Sequence, residues 1–279
     1  MVLSAAVIGL GPRGLAHLDT LHHLDVHLIG GADHHIERRA QARVETWADH
    51  TALLQAVDPP DLVSVATAPD QHLGIVRDLL DAGVRAVVLE KPMALTLDDA
   101  EAIAALPGAT ERVALGFHEL FHHDVAALGP WRWDAARIVR SSREPLRSHA
   151  GVVLELAVHD CALALALVGA PLEVTDATVT TTHAGATFTS TGSARVTSQS
   201  SWDARRRRTI TLTDARGTTT VDLLHGPQHG PDAPLGRLLV AALDAARDHA
   251  PPLVGVTTGL AVQRLAARMT DLGAGGPLS

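Results

Sequence analysis

The chain has 279 residues, 46% of them hydrophobic and 19% charged, and a formal net charge of −8. This length allows a substantial core and favours a division into two domains. The acidic balance argues against a nucleic-acid or anionic-membrane partner, and no apolar run approaches the roughly 20 residues of a membrane span.

Strand and helix patterns alternate through the first part of the chain. The apolar run AAVIGLG ends in glycines, and the strand-like segments VHLIGGAD, DLVSVAT, VRAVVLE and ERVALGF follow, separated by helical patterns. Apolar strands that alternate with helices are typical of a doubly wound parallel sheet. We therefore expect an α/β Rossmann domain over residues 1–118, which begins directly as a strand without a signal peptide.

The pattern changes after residue 118. One apolar helix is predicted over VVLELAVHDCALALALVG, short Thr-, Ser- and Val-rich strands follow from 174 to about 224, and two amphipathic helices close the chain. We expect the strands to form an antiparallel meander and the four arginines at 205–208 to form a solvated hairpin tip rather than a nucleic-acid patch. The prediction is an α+β domain over residues 119–279 with an open, mainly antiparallel sheet.

The residue types that are rare or absent exclude some classes of enzyme and of metal site. There is no tyrosine, which excludes enzymes whose proton donor is a tyrosine hydroxyl. The single cysteine, Cys161, excludes an internal disulfide and a Cys-rich zinc site. We expect Cys161 to fill the core of a protein from a reducing compartment, the cytoplasm.

The segment GLGPRG follows the first strand and opens a helix, and it has the spacing of a dinucleotide-binding turn. It contains Gly9, Gly11, Pro12, Arg13 and Gly14. The first glycine permits the tight turn, the second lets the backbone approach a diphosphate, and the third packs the helix on the strand. Similar glycine turns occur in methyltransferases and in turns that bind no ligand. The position of this turn between a strand and a helix favours dinucleotide binding.

Asp33 stands at the end of the second predicted strand. A carboxylate there accepts hydrogen bonds from the adenosine ribose and repels a 2′-phosphate, which favours NAD over NADP. Two alternatives stay open at this point. Asp33 could instead cap the helix that follows it, and the neighbouring Arg38 and Arg39 could accommodate NADP.

Lys91, in VVLEKPMAL, is the only lysine in the chain. A coding bias toward arginine could leave one lysine by accident. A chemical reason is also available, because lysine is a compact point charge whose pKa changes readily on burial, whereas arginine stays charged.

With these motifs, the sequence resembles the Gfo/Idh/MocA family (glucose–fructose oxidoreductase, inositol dehydrogenase, MocA). The resemblance covers nearly the whole chain and rests on VIGLGPRG, VATAPDQHLGIVRDLLDAG, VLEKPMALTLDDAEAI and LELAVHDCALALALVGAP. It implies a Rossmann domain, then a sheet domain whose open face forms the interface of a homodimer or homotetramer. It also implies an NAD(P)-dependent dehydrogenase or reductase that transfers a hydride between nicotinamide and a small polar substrate, such as a sugar, cyclitol, keto-sugar or imine.

The resemblance also implies roles for individual residues. The nicotinamide half of the cofactor would be bordered by Ala66, Thr67 and Pro69, and its ribose would lie near His72 and Glu90. Lys91 would lie in the catalytic centre.

The second predicted domain supplies candidates for proton transfer. Glu155 and His159 are four residues apart, so a helix would place them on one face. An imidazole with an ordinary pKa of about 6.5 is a suitable general acid or base, and a carboxylate beside it can orient the ring. The family pattern has Asp where this chain has Glu155. Asp160 is a rival carboxylate and a candidate substrate contact, although it points about 100° away from His159. A core pair with a purely structural role is the alternative.

The remaining candidates are weaker. His118 follows a strand and is a candidate substrate contact, while the spacing of His118 and His122 would suit a metal but has no evident third ligand, so we predict no metal. The connecting segment 130–151 is shorter than is usual in the family, which leaves the substrate class open. A non-catalytic dinucleotide-binding regulator on the same fold is the alternative function.

Overall fold

The computed structural model describes residues 2–129, 131–143, 150–192, 194–227 and 230–274. Its strands are β1 (Ser4–Ile8), β2 (His27–Ala32), β3 (Thr46–Trp47), β4 (Leu62–Val65), β5 (Ala86–Leu89), β6 (Val113–Leu115), β7 (Ala135–Ser142), β8 (Glu173–Val179), β9 (His183–Thr189), β10 (Arg195–Trp202), β11 (Arg207–Asp214) and β12 (Gly217–Asp222). Its helices are α1 (Pro12–His22), α2 (Ile36–Gln41), α3 (His50–Ala56), α4 (His72–Asp81), α5 (Leu97–Ala104), α6 (Ala109–Arg112), α7 (His123–Ala127), α8 (Val158–Val168), α9 (Pro234–Asp248) and α10 (Val256–Ala274).

The chain forms two compact units. The first comprises Met1–His118 and Pro227–Leu260, and the second comprises Glu119–Gly226 and Ala261–Ser279. The sequence predicts that all residues after 118 belong to the second domain. The structure instead places segment 227–260 in the first unit. The reason is α9, whose apolar face packs against β5, β4 and α1 of the first unit.

The first unit contains a parallel sheet of six described strands in the order β3-β2-β1-β4-β5-β6. β1, β4, β5 and β6 are short and almost entirely buried, as expected for parallel strands covered on both faces. The strand order reverses between β1 and β4, and in such sheets ligands bind at the carboxyl ends of the strands beside that point. The predicted Rossmann domain is confirmed.

The second unit contains a sheet of six described strands in the order β12-β11-β7-β10-β9-β8. Its pairings are antiparallel except for β7 with β10, so the prediction of an open, mainly antiparallel sheet is confirmed. The continuous meander is wrong, because β7 lies between β10 and β11. This central strand comes from segment 130–151, which the sequence analysis treated as a connection. Residues 144–149, which belong to the segment predicted to be shorter than in the family, lie outside the described residues.

The apolar helix of the second unit is not one regular α-helix. Residues Val153–Ala157 are π-helical, and α8 continues from Val158 until Gly169 ends it in a left-handed conformation with φ of +66°. The π-helical segment packs against β7, β9 and β10, and α8 also packs against β10. Among the described helices, none has both the length and the apolar character needed to cross a membrane.

Candidate active site

The backbone of the glycine turn after β1 requires two of its three glycines. Gly9 has φ of +87°, and a Cβ there would lie 2.6 Å from the carbonyl oxygen of Ala66. A Cβ on Gly14 would overlap the carbonyl oxygen of Gly9. The turn is therefore pressed between the end of β4 and the first turn of α1, which only glycine at both positions allows.

Gly11 has a different environment. Its backbone is extended, it precedes Pro12 as the N-cap of α1, and no described atom lies within 4 Å of the position its Cβ would take. No described side chain caps α1. The position of a Cβ at Gly11 is therefore open apart from its chain neighbours, and helix N-termini without a side-chain cap bind diphosphates. The residues fit the diphosphate of a dinucleotide.

Asp33 follows β2 and is held as a carboxylate beside the glycine turn. Its Oδ2 accepts a hydrogen bond from the Leu10 amide and its Oδ1 one from the His35 amide, both at 2.8 Å, and Arg38 Nη1 is 3.4 Å from Oδ2. Burial alone would raise the pKa of this carboxyl, but the His35 and Leu10 amides and Arg38 hold it below its ordinary value. The capping alternative is wrong, because the N-cap of α2 is His35.

A cleft of about 650 Å³ opens at this edge of the sheet, within the size range of small-molecule sites. Its wall includes Gly9, Asp33, Arg38, Ala66, Thr67 and Gln71. The Thr67 hydroxyl is buried, and none of the described residues forms a hydrogen bond with it. A buried hydroxyl at the wall of a cleft fits a bound polar ligand. Pro69 begins the 3₁₀ turn that follows, Pro69–Gln71.

His72 lies behind this wall rather than in it, and its place near the nicotinamide ribose stays a prediction. The ring is fully buried, with Nδ1 3.1 Å from the Met93 carbonyl oxygen and Nε2 3.4 Å from that of Thr67. Burial lowers the pKa of His72, although both carbonyls oppose this effect. The buried ring therefore contacts both the Thr67 loop and the segment after Lys91, through one carbonyl oxygen of each.

Glu90 is likewise buried, at 4% exposure, and its Oε1 accepts a hydrogen bond from His17 Nε2 at 2.9 Å. On the other side of this ring, Nδ1 is 2.5 Å from Ser64 Oγ. Burial opposes the charge on Glu90, but Arg13, whose Nε is 3.9 Å away, and His17 hold the pKa of the carboxyl well below its usual range. Glu90 is thus engaged inside the unit, and its place near the nicotinamide ribose stays a prediction.

Lys91 lies two residues after the end of β5. Its backbone N–H donates to Glu90 Oε2 at 3.3 Å, its side chain is half-buried, and the Lys91–Pro92 peptide bond is cis. β4 and β5 pair in register at their last residues, and Thr67 and Lys91 each follow two residues later. The lone lysine therefore lies at the same sheet edge as the Thr67 wall of the cleft.

The proton-transfer candidates belong to the second unit. His159 is buried in the first turn of α8, and Glu155 is half-buried in the π-helical segment before it. The two residues thus lie on different kinds of helix, which the apolar run alone did not reveal. π-helical turns occur frequently at functional sites.

Near these residues, Arg140 of β7 is buried between two carboxylates. Its Nη1 is 2.9 Å from Glu119 Oε1, its Nη2 contacts Glu119 Oε2, and its Nε is 2.8 Å from Asp160 Oδ1. Ser200 Oγ donates to Asp160 Oδ2 at 2.6 Å, and Arg208 Nη1 is 2.9 Å from Glu119 Oε1. These five residues form one network of hydrogen-bonded charges.

This network corrects two expectations. Asp160 is fully buried and both of its oxygens are engaged, so it serves the interior of the unit instead of offering a carboxylate to substrate. Arg208 is not part of a solvated tip, because it lies in β11 and pairs with Glu119. Burial raises the pKa of Glu119, but Arg140, His159 and Arg208 outweigh it and hold that pKa well below its usual range.

Residues 3–117 match the family model described as "Oxidoreductase family, NAD-binding Rossmann fold", that of Gfo/Idh/MocA. These residues are thus similar to the Rossmann domain of that family. The same family is represented by a relative from Lacticaseibacillus casei, an inositol 2-dehydrogenase/D-chiro-inositol 3-dehydrogenase, which is 30% identical over 138 residues. That match covers 46% of this chain and only 39% of the relative.

Solved structures match over nearly the whole length. GenD2 from gentamicin A biosynthesis, solved in complex with NAD, has a TM-score of 0.87 at 18% identity, covering 99% of this chain and 95% of that one. UDP-N-acetylglucosamine 3-dehydrogenase GnnA from Acidithiobacillus ferrooxidans has a TM-score of 0.85 at 22% identity, covering 98% and 99%. A myo-inositol dehydrogenase from Corynebacterium glutamicum ATCC 13032 has a TM-score of 0.85 at 17% identity, covering 98% and 97%. At these identities the likeness concerns the fold.

The two remaining histidines of the sequence analysis lie in different units. His118, half-buried, ends the first unit, and its charge contributes to lowering the pKa of Glu90 in that unit. His122 caps α7, with Nδ1 accepting from the Asp124 amide and Nε2 2.9 Å from the His225 carbonyl oxygen. Both ring nitrogens of His122 thus contact backbone atoms. The substrate contact of His118 stays a prediction.

Sequence reasoning missed His17 and Arg140. A signal existed for His17, because it shares the buried face of α1 with Gly14, Leu18 and Leu21, where a histidine needs polar partners. The alternation of β7 likewise places Arg140 on the buried side with Ala136 and Ile138. Neither signal identifies the partner, which comes from distant sequence in both cases.

Proposed function

We propose that this chain is an NAD(P)-dependent oxidoreductase that transfers a hydride between nicotinamide and a small polar substrate. The observation that carries the proposal is the edge of the first sheet, where the uncapped α1 N-terminus, the Asp33 carboxylate and Lys91 all lie. A nucleotide-binding regulator would need the first two groups but not a lysine.

The cofactor would be held by groups that are already ordered. The first amides of α1 bind the diphosphate, and the Asp33 carboxylate accepts hydrogen bonds from the adenosine ribose, which favours NAD. Arg38 Nη1 lies 3.4 Å from Asp33 Oδ2. Its guanidinium would donate hydrogen bonds to a 2′-phosphate and so allow NADP to bind. When bound, the nicotinamide ring supplies the acceptor or donor of the hydride.

The protein's own groups would handle the substrate oxygen and its proton. The Lys91 ammonium donates a hydrogen bond to that oxygen and stabilises negative charge developing on it. His159 accepts the hydroxyl proton as the hydride leaves carbon, and returns it in the reverse direction, with Glu155 orienting the ring. Proton transfer by a positioned side chain contributes about 10²–10⁴-fold to rate.

The substrate class we propose is a sugar, cyclitol, keto-sugar or imine. The names of the inositol dehydrogenases and of the UDP-N-acetylglucosamine 3-dehydrogenase among its relatives support testing cyclitols and sugars first. Both oxygens of Asp160 are engaged within the unit. His159 of α8 and Glu155 of the π-helical segment before it therefore remain as the candidate groups for proton transfer.

The test is a panel of cyclitols, sugars and keto-sugars assayed in both directions with NAD and NADP, following NADH or NADPH absorbance. We expect turnover with at least one substrate, loss of that turnover in Lys91→Arg, and NADH affinity within about twofold of wild type. Arg85→Lys, an exchange at a half-exposed ion pair of the same unit, is the matched control and keeps its activity. A Lys91→Arg variant that retains most turnover would refute the assignment, and nucleotide binding without any turnover across the panel would favour the regulator.

We also infer that a second copy of the chain covers the open face of the second sheet. This face forms a concave region of about 720 Å³ that includes Arg137, His183 and Gln199. Light scattering after size exclusion should give a dimer or tetramer, and Thr197→Arg should shift it toward monomer. A wild-type monomer at all concentrations would contradict the inference. A cytoplasmic location likewise stays a proposal.

A further inference from the structure

We propose that His17 is a positioning residue that acts through the Glu90 carboxylate to hold the backbone of Lys91. The proposal rests on the proposed function only in taking Lys91 as the group that meets the substrate. His17 itself is fully buried and touches neither the cleft nor solvent.

The three contacts form a chain in which two donors converge on the Glu90 carboxylate. A carboxylate only accepts, so the hydrogen between His17 and Glu90 belongs to His17 Nε2, 2.9 Å from Oε1. On the other side of the ring, Nδ1 and the Ser64 hydroxyl form a hydrogen bond of 2.5 Å. The other oxygen of Glu90 accepts the Lys91 N–H at 3.3 Å. The ring therefore sets the rotation of the carboxylate, and the carboxylate contacts the Lys91 amide.

The side chain of Glu90 has little room to adopt another position. A Cβ on Gly116, just after β6, would lie 3.0 Å from Glu90 Cα and 3.2 Å from its Cδ. The Glu90 amide is itself fixed to the Val65 carbonyl oxygen at 2.9 Å. Glu90 is thus packed against the end of β6 and its backbone is hydrogen-bonded to the end of β4, and of the two cationic or donor groups at Oε1 the His17 ring, at 2.9 Å, is nearer than Arg13, at 3.9 Å.

A purely structural role explains this arrangement less well. Placing an ionised carboxylate in a protein interior costs free energy that apolar side chains of similar volume would not require. A polar pair in a sheet-and-helix core is expected where function demands it. His17 lies on α1, the helix that begins at the glycine turn, so the pair links the diphosphate-binding helix to the lysine.

Because Lys91 is the only lysine, the proposal can be tested without a substrate. Growth on lysine labelled at its backbone nitrogen gives a protein with one labelled amide, that of Lys91, which NMR observes directly. We expect a downfield amide signal with slow solvent exchange in the wild type. His17→Phe should shift it upfield and speed its exchange, whereas His17→Gln, whose amide can still donate to Glu90, should shift it less.

Activity then separates positioning from folding. With the substrate found in the panel, His17→Phe should lower kcat by up to about 10²-fold, the size of effect that small misplacements produce, while KM for NADH stays within about twofold. Ser64→Ala, which removes only the outer hydroxyl, should fall between His17→Gln and wild type. His22→Gln, on the exposed face of the same helix, is the matched control and should leave the amide signal and kcat unchanged.

An unchanged Lys91 amide signal in folded His17→Phe would overturn the proposal, and so would equal changes in His22→Gln. If His17→Phe does not fold, the graded order of His17→Gln and Ser64→Ala decides, and no change in either counts against it. Because the amide signal needs no turnover, these outcomes are independent of whether the proposed oxidoreductase activity is found.

Discussion

Arg140 on β7 and Asp160 on α8 form an ion pair buried in the second unit, with Nε 2.8 Å from Oδ1 and exposures of 2% and 0%. Glu119 binds the rest of the same guanidinium. The pair fixes the first turn of α8, which carries His159, to a central strand of the sheet. The arginine pairs with two buried carboxylates, so its removal leaves Asp160 without a neighbouring cation among the described residues, while Glu119 keeps Arg208.

We therefore expect Arg140→Met to lower the free energy of unfolding by about 3–5 kcal/mol, the usual result of removing one partner from a buried pair. Urea unfolding followed by circular dichroism measures the change. Arg216→Met, which breaks a surface pair with Asp214, should leave the unfolding midpoint unchanged because solvent screens that pair. Equal midpoints for wild type and Arg140→Met would show that the network contributes no net stability.

Stability should also decrease in acid. The pKa values of Asp33, Glu90 and Glu119 are lowered in the folded state, whereas burial raises that of Asp160 despite Arg140 and Ser200. A lowered carboxyl pKa gives stability that is fully present above the unfolded value and is lost as pH falls, while Asp160 has the opposite sign. Three of these carboxyl groups lose stabilising interactions in acid and only Asp160 has the opposite effect. The free energy of unfolding should therefore decrease between about pH 5 and pH 3, the range that contains the ordinary carboxyl pKa values of about 4. A flat or rising profile in urea titrations over that range would contradict these directions.

Cofactor preference should depend on the charge of Asp33. Asp33→Asn keeps the shape but removes the charge that repels a 2′-phosphate, so the ratio of NADPH to NADH affinity should rise by about tenfold, or 1.4 kcal/mol. Arg38→Ala should lower the same ratio, because it removes the cation 3.4 Å from the carboxylate. Fluorescence titration with both nucleotides measures the ratio. If both variants move it in the same direction, the assignment of this end of the cleft to the ribose is wrong.

The glycines of the turn should separate folding from binding. Gly14→Ala forces a methyl group onto the Gly9 carbonyl oxygen and should lower the free energy of unfolding by about 1–3 kcal/mol or more. Gly11→Ala meets no described atom within 4 Å and has an extended backbone, so its unfolding free energy should change by less than about 1 kcal/mol. Thermal and urea unfolding of the two variants compare them directly. Similar losses in both would contradict the space seen at Gly11.

Much of the first unit could be predicted from sequence, because its information is local. Alternating apolar strands and helices determine the Rossmann sheet, and the glycine spacing determines the turn after β1. The apolar stripe of α9 predicts a helix with a buried face but does not say which sheet that face covers. Its assignment to the first unit depends on long-range packing.

What the sequence could not show in the site is the pairing between distant residues. His72 and Glu90, for which the sequence predicts a place near the cofactor, also have partners within the fold, Met93 and His17 respectively. β7 was missed because a buried arginine interrupts its apolar pattern, and only the carboxylates of Glu119 and Asp160 make that burial favourable. Sequence spacing locates such residues without revealing their partners.

We propose above all that the first unit binds a nicotinamide dinucleotide with its diphosphate at the α1 N-terminus. Calorimetric titration of the wild type and Gly11→Ala with NADH and NADPH tests it most directly. The account predicts saturable NADH binding by the wild type and affinity at least about tenfold weaker in the folded Gly11→Ala variant, since its methyl group enters the diphosphate space. Absence of binding of either nucleotide by the wild type, or undiminished binding by Gly11→Ala, would contradict it.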